Sequence, residues 1–400
     1  MTDRSTSDRR AVWSFPTQVR FGRGATSHLA AAARACGMSR PLLVTDGGLA
    51  QSALVGSMRG ELDRAGLSCG LFADVRSNPT ESDIAAGLDA FRAGAHDGVV
   101  AIGGGSALDA GKLIAFMIAQ QRPIWDFEDI GDHWRRARVE GIAPVVAVPT
   151  TAGTGSEVGR AGVVTDEKAH VKKVIFHPAM LPRTAILDPE ATRGLPPGLT
   201  AATGMDALAH ALEAYCAPAF HPMADGIAVE AVRLVLTSLE RAFRDGDDLE
   251  ARGDMLAAAA MGAVAFQKGL GAIHALSHPI GAVHDTHHGL TNAVVMPYVL
   301  AFNSAAVEER LDRLAAWLDL PGAGGGGRGC DALLDRILAL RESLGIPHTL
   351  AELGLVDPDY GHLAAIAVRD PTAAGNPVPL DEEICRTLYD RAHRGVLPLR

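Results

Sequence analysis

Asp206 and His210 stand one helical turn apart, and some sixty residues later His274 and His278 repeat that spacing, with His288 close behind. On a helix, side chains four positions apart lie on one face, so a carboxylate and an imidazole so placed can reach one ion. A carboxylate with three imidazoles makes a mixed oxygen and nitrogen shell that suits Fe(II), Zn(II), Co(II) or Mn(II) and leaves room for a substrate oxygen. Taken singly, any of the 15 histidines is more often a surface or core residue than a ligand. The joint pattern, closed by Gly289 directly after His288, points to a metalloenzyme. His284 and His287 are read as neighbours of the ligands.

Two glycine-rich turns carry a second kind of chemistry. Gly103-Gly104-Gly105-Ser106 follows an apolar run and precedes a helical pattern opening Ala107-Leu108-Asp109. Glycines there let backbone amides approach a pyrophosphate, and a helix N-terminus favours its negative charge. The turn matches neither familiar fingerprint: Leu108 takes the place of the third glycine of GxGxxG, and no Ser or Thr follows Lys112. The stretch Pro149-Thr150-Thr151-Ala152-Gly153-Thr154-Gly155-Ser156-Glu157 also follows an apolar run and is rich in hydroxyls that can donate to phosphate or ribose. Each alone reads as a flexible turn. Two donor-rich turns at strand ends are what an open α/β sheet uses to bind a ligand.

The elements that must carry these residues follow from periodicity. Short apolar runs at 41–45, 67–75, 98–102, 144–149 and 184–187 read as strands, with Ala-rich helical patterns at about 25–37, 48–65, 80–94 and 106–119 between them. Strands alternating with helices predict a parallel sheet covered on both faces, because parallel neighbours need a crossover. After Asp188-Pro189-Glu190 the apolar residues recur at helical spacing only, and Pro196-Pro197 marks entry to an all-helical remainder. The expected division is an α/β dinucleotide-binding domain over 1–190 and an all-helical metal-binding and catalytic domain over 191–400. The Pro321 to Gly329 stretch, PGAGGGGRG, reads as a surface loop, and no internal repeat is apparent.

Composition narrows the partners. Thirty-seven basic against 47 acidic residues give a formal charge of −10, which argues against a nucleic-acid backbone and for small molecules. No apolar run is long enough to span a bilayer, since the Leu256 to Phe266 stretch is broken by Gln267 and Lys268. The start, MTDRSTSDRRAVW, mixes acids with bases and has no apolar segment, so it is not read as a secretory signal and a cytoplasmic location is expected. Five scattered cysteines form no CxxC and suggest neither a disulfide framework nor a thiolate site.

These motifs, in this order, resemble the iron-containing (group III) alcohol dehydrogenase family over nearly the whole chain. The residues that carry the resemblance are Gly103-Gly104-Gly105-Ser106-x-x-Asp109, the Thr150 to Glu157 loop, Gly204-Met205-Asp206-Ala207-Leu208-x-His210-x-x-Glu213, and His274-x3-His278-Pro279-x8-His288-Gly289. The resemblance implies a Rossmann-like parallel sheet followed by an all-α domain, the dehydroquinate synthase-like architecture. It implies NAD and Fe2+ as cofactors, with Zn2+ sharing the same ligands. Asp206, His210, His274 and His288 would hold the metal, and His278 would relay a proton. Asp46 would bind the adenosine ribose and repel a 2′-phosphate, favouring NAD over NADP. Asn78, Gly104, Gly105, Ser106, Thr150, Thr151, Thr154 and Lys172 match other cofactor contacts, with Lys173 adjacent in register. A homodimer or higher homo-oligomer is implied too, with the extended Trp13 to Phe21 segment pairing across subunits.

The implied reaction is hydride transfer between NAD(H) and a small alcohol or aldehyde. Phe266, Lys268 and Ala161 fall in substrate-facing stretches, and Gly159 and Ala161 flank Arg160 where relatives carry bulkier residues. Lys268 is expected to hold an anionic substrate tail; the competing expectation is a solvated surface lysine. Glu213, two turns beyond Asp206, either orients a ligand or is a helix-surface carboxylate. An alternative reading is a zinc- and NAD-dependent enzyme of the dehydroquinate synthase or glycerol-1-phosphate dehydrogenase type, which needs a basic phosphate clamp for which only Lys268 and Arg160 are candidates. A histidine-rich metal-buffering protein would not need two nucleotide-type turns.

Overall fold

The computed structural model describes residues 17–168, 171–322 and 328–397. Strands β1 (Gln18–Phe21), β2 (Pro41–Asp46), β3 (Gly70–Val75), β4 (Gly98–Gly103), β5 (Val145–Pro149) and β8 (Thr184–Leu187) form one sheet in the order β1-β8-β5-β4-β2-β3. Every pairing in it is parallel. Helices α1 (Leu29–Ala35), α2 (Ala53–Arg64), α3 (Glu81–Ala93) and α4 (Gly105–Met117) are the crossovers.

Side chains alternate across a strand, so each buried strand feeds two cores. Val99 and Ala101 of β4 join Leu42 and Val44 of β2 under α3 and α4, where Ile84, Phe91, Leu113 and Phe116 pack. Val100 and Ile102 face the other way with Leu43, against Leu29 and Ala33 of α1 and Val55, Met58 and Leu62 of α2. The continuous apolar runs in the sequence are therefore strands buried on both faces.

One feature differs from expectation. Strands β6 (Ala161–Asp166) and β7 (Val171–Phe176) form a separate antiparallel pair that periodicity did not predict. The segment read as pairing across subunits contributes β1, which pairs with β8 of its own sheet from Gln18↔Thr184 to Phe21↔Leu187; residues 13–16 of that segment lie outside the described residues. Residues 323–327 of the glycine-rich stretch lie outside them as well, while Arg328 and Gly329 already belong to a helix.

Beyond β8 the described chain is helical: α5 (Pro197–Cys216), α6 (Pro222–Arg244), α7 (Leu249–Ala265), α8 (Ala272–His284), α9 (His288–Asn303), α10 (Glu308–Trp317), α11 (Arg328–Ser343), α12 (Tyr360–Ala367) and α13 (Glu382–Arg394), with short 3-10 turns between. One compact unit holds the described residues up to Ala207 with Thr237–Ala263, and the other Leu208–Leu236 with the described residues from Val264 onward. Pro297 interrupts α9 and has no N–H to offer the carbonyl of Ala293. The buried guanidinium of Arg341 on α11 donates to that carbonyl and to that of Val294, at 3.3 and 3.0 Å. Among the described residues no single helix is long and apolar enough to cross a membrane.

Candidate active site

In the α/β unit the chain runs from β2 outward to β3, then returns past β2 to β4 and on to β5. Strand order thus reverses between β2 and β4, and ligands of open α/β sheets bind at the carboxyl ends flanking such a reversal. Asp46 closes β2 there, its carboxylate accepting the Leu49 amide at 3.0 Å. Gly103 closes β4 with φ of 146°, a conformation a side chain would strain. Gly104 then caps α4 without any side-chain cap, and Gly105 and Ser106 form the first turn.

The second turn is packed directly on the first. Thr150 donates its amide to the Gly103 carbonyl at 2.9 Å. A Cβ on Gly105 would come within 2.7 Å of Thr154 Cγ2, and one on Gly104 within 3.3 Å of Thr151 Cγ2. Ser106 donates its hydroxyl to the Ser77 carbonyl, one residue before the exposed Asn78. Asp46, Gly104, Gly105, Ser106, Thr150, Thr151 and Thr154 therefore share one edge of the sheet. Lys172 is exposed on β7, whereas its neighbour Lys173 is held by Asp166 and Glu128 at 3.1 and 3.5 Å.

Beneath these turns lies a charged cluster. Asp109 on α4 accepts Ser156 Oγ at 2.6 Å and the Val163 amide at 3.0 Å, and pairs with Lys112 at 3.0 Å. Lys112 is buried and also donates to the carbonyl of Ala161. Burial pushes the Glu157 carboxyl up to about 7, against the opposing pulls of its own amide and the Lys112 charge.

Two of the histidines, His274 and His278, are held by carboxylates. Asp206 and His210 on α5 and His274 on α8 are 3%, 6% and 2% exposed, and their candidate ligand atoms lie within 4.8 Å of one another. Glu213, a turn beyond His210, takes the Ile273 amide at 2.6 Å on one oxygen and faces His274 Nδ1 at 2.5 Å with the other. An ionised carboxylate only accepts, so Nδ1 carries the proton and Nε2 keeps its lone pair. Asn292 agrees, its amide nitrogen lying 3.3 Å from His274 Nε2 and 3.1 Å from His288 Nε2. The His274 Nε2 lone pair, beside His210 and the buried Asp206 carboxylate, fits a divalent cation; among the described residues the converging group is these three, and His288 is not part of it. Glu213 is accordingly an orienting group and not a surface carboxylate.

His288 stands at the first position of α9, its ring 5.2 Å from that of His274 and stacked at 5.2 Å on His278. His278 is 40% exposed, with Nδ1 2.7 Å from Asp370. Burial alone would raise the Asp370 carboxyl, but hydrogen bonds from His278 and Thr372 outweigh it and hold the group below its usual range. Phe266 lies against His210 with ring centroids 5.1 Å apart.

Lys268 departs from both expectations for it. Its ammonium is buried, paired with Asp225 at 2.5 Å and donating to the Tyr215 carbonyl at 3.1 Å, so it is neither solvated nor open to an anionic tail. Burial lowers its pKa despite the Asp225 bond. Arg160, the other clamp candidate, sits 5.6 Å from the centre of the Phe176 ring. Asn292 and Asp370 were not read from the sequence at all; an Asp-Pro-Thr turn signals a cap, not its reach to a histidine 92 positions away.

Residues 16–189 match the iron-containing alcohol dehydrogenase family and residues 200–393 its C-terminal family. The chain is 39% identical to a 4-hydroxybutyrate dehydrogenase of Cupriavidus necator over 371 residues, 90% of this chain and 94% of that protein. It is 36% identical to an NAD-dependent methanol dehydrogenase of Bacillus methanolicus over 362 residues, 89% and 93% of the two. A crystal structure of 1,3-propanediol oxidoreductase superposes with a TM-score of 0.92 at 34% identity, covering 96% of this chain and all of that one. The chain therefore belongs to the iron-containing alcohol dehydrogenase family and is an NAD-dependent oxidoreductase of that type.

Proposed function

We propose that this enzyme interconverts a small alcohol and its aldehyde, including substrates with an anionic group, through Asp206, His210, His274 and His288 as metal ligands and His278 as proton relay. The observation that carries the reading is the buried Asp206, His210 and His274 group with His274 Nε2 left as an acceptor by Glu213. When bound, a divalent iron, whose ligands zinc shares, polarises the substrate oxygen, and NADH supplies the hydride.

The chain's own residues do the rest. Amides at the head of α4 and the hydroxyls of Thr150, Thr151 and Thr154 hold the cofactor phosphates, with Asn78 and Lys172 as further contacts. Asp46 selects NAD over NADP. Phe266 and Ala161 line the substrate, Phe266 being supported by its contact with His210. An anionic tail is not assigned to Lys268, whose charge is taken up by Asp225. The division of labour is a dinucleotide-binding domain over 1–190 and a metal-binding, catalytic domain over 191–400. We place the enzyme in the cytoplasm as a homodimer or higher homo-oligomer that engages neither nucleic acid nor membrane; the outer edge of β1, with Val19 and Phe21 exposed, supports the oligomer.

Anaerobic purification with metal analysis, followed by NADH oxidation across neutral and acidic short-chain aldehydes, tests the reading. Turnover should track iron content. Iron-loaded protein that oxidises NADH with none of these aldehydes would overturn it.

A further inference from the structure

Two histidines one turn apart on α8 each place Nδ1 on a carboxylate, but the carboxylates come from different places. Glu213 reaches His274 from α5 and is buried with it. Asp370 reaches His278 from the turn that opens the short 3-10 segment Pro371–Gly375. Its side chain is 11% exposed against 40% for His278. A half-exposed imidazole gains little stability from an ion pair and loses rotamer freedom when held.

Asp370 is itself fixed. Its Oδ1 accepts the Thr372 amide at 2.9 Å and the Thr372 hydroxyl at 2.5 Å, which leaves Oδ2 to His278. With both oxygens engaged, the carboxylate has one orientation, and His278 Nδ1 must be the donor to it. The free nitrogen of the ring is then Nε2, with its lone pair available.

We propose that Asp370 is a positioning residue for proton transfer: it locks His278 as the Nδ1–H tautomer, so that Nε2 takes the hydroxyl proton of the alcohol. In that step the alcohol O–H bond breaks and an Nε2–H bond forms, while the hydride leaves to NAD and the Nδ1–H bond to Asp370 is kept. In the reducing direction the same proton returns to the substrate oxygen. Asp370 gains no proton and holds the ring in place as its charge changes. The inference rests on the proposed alcohol–aldehyde reading and deepens it.

Asp370→Asn is the informative variant, because asparagine caps the same turn while losing the charge and offering an amide donor to Nδ1. The zinc-loaded, diamagnetic protein with 15N-labelled histidine shows directly which nitrogen of His278 bears the proton, the signal being assigned by its loss in His278→Gln. The wild type should show Nδ1–H, and Asp370→Asn should shift towards Nε2–H. In the iron enzyme kcat should fall about 100-fold, with metal content, NADH binding and KM within about threefold of wild type. An Nε2–H tautomer in the wild type would overturn the inference, as would Asp370→Asn with wild-type kcat. The wild-type tautomer needs no variant, so it decides even if Asp370→Asn does not fold. Wild-type protein without turnover would instead bring down the parent reading, with the tautomer still judging Asp370.

Discussion

The turns after β4 and β5 and the histidines of α8 are built by opposite means, and the contrast follows from what each is proposed to hold. At the sheet edge the working groups are backbone amides, and the decisive side chains are the missing ones: Gly105 has no room for a Cβ beside Thr154, and Gly103 adopts a φ of 146°. A phosphate is a broad anion that several amides can share, so close approach matters more than direction. On α8 the working groups are side chains, and each is aimed by another side chain: Glu213 on His274, Asp370 on His278. A cation or a proton is bound through one lone pair, so direction is everything. Backbone geometry suffices for the first task; the second uses a carboxylate behind each of His274 and His278.

The sharpest way to break this contrast is to remove the imidazoles one at a time. His274→Ala should lose its metal and with it turnover to background, whereas His278→Ala should keep the metal and lose about 100-fold in kcat. Metal analysis beside steady-state rates reads both, and equal metal loss in the two would show that the inner ligands are misassigned. A smaller pair of effects separates the two regions. Glu213→Gln should weaken metal affinity by about 10- to 100-fold and leave NADH binding unchanged. Gly105→Ala should do the reverse, weakening NADH by about tenfold, roughly 1.4 kcal/mol, at full metal occupancy. Titration of each variant with NADH and with metal tests this, and a Gly105→Ala enzyme with wild-type NADH affinity would refute the close-approach argument.

The smallest effect concerns the charged cluster under the turns. Glu157 titrates at about 7 in the fold against 4.5 when unperturbed. Between those values the folded state keeps a proton that the unfolded chain has lost, so stability falls as pH rises from about 4.5 through 7 and levels off above. The full loss is roughly 3 to 4 kcal/mol. Glu157→Gln should abolish that decline, seen as a smaller drop in Tm between pH 5 and 8. Parallel Tm profiles for the two proteins would show that the Glu157 carboxyl is solvated or differently paired.

Much of the fold was legible because its signals are local. β2, β4, β5 and β8 are buried on both faces and read as unbroken apolar runs, and the Asp206 and His210 spacing is a property of one helix. What escaped was non-local or half-exposed. β6 and β7 group their apolar residues and break them with Thr165, Asp166, Lys172 and Lys173, so neither an unbroken apolar run nor a period-two alternation announces them. Lys268 was read only from the stretch around it, and nothing near it in sequence tells of Asp225, 43 residues earlier, which takes its charge. Glu213 was within reach from its spacing to Asp206, yet only the fold shows that His274 lies against it.

The proline inside α9 has a bearing on His288. Pro297 leaves the Ala293 carbonyl without its helical donor, and that carbonyl and the next are held by Arg341 from α11. His288 opens that same helix. The stretch of helix between this imidazole and the proline is thus tethered by a guanidinium more than fifty positions downstream, which ties the placing of His288 to α11.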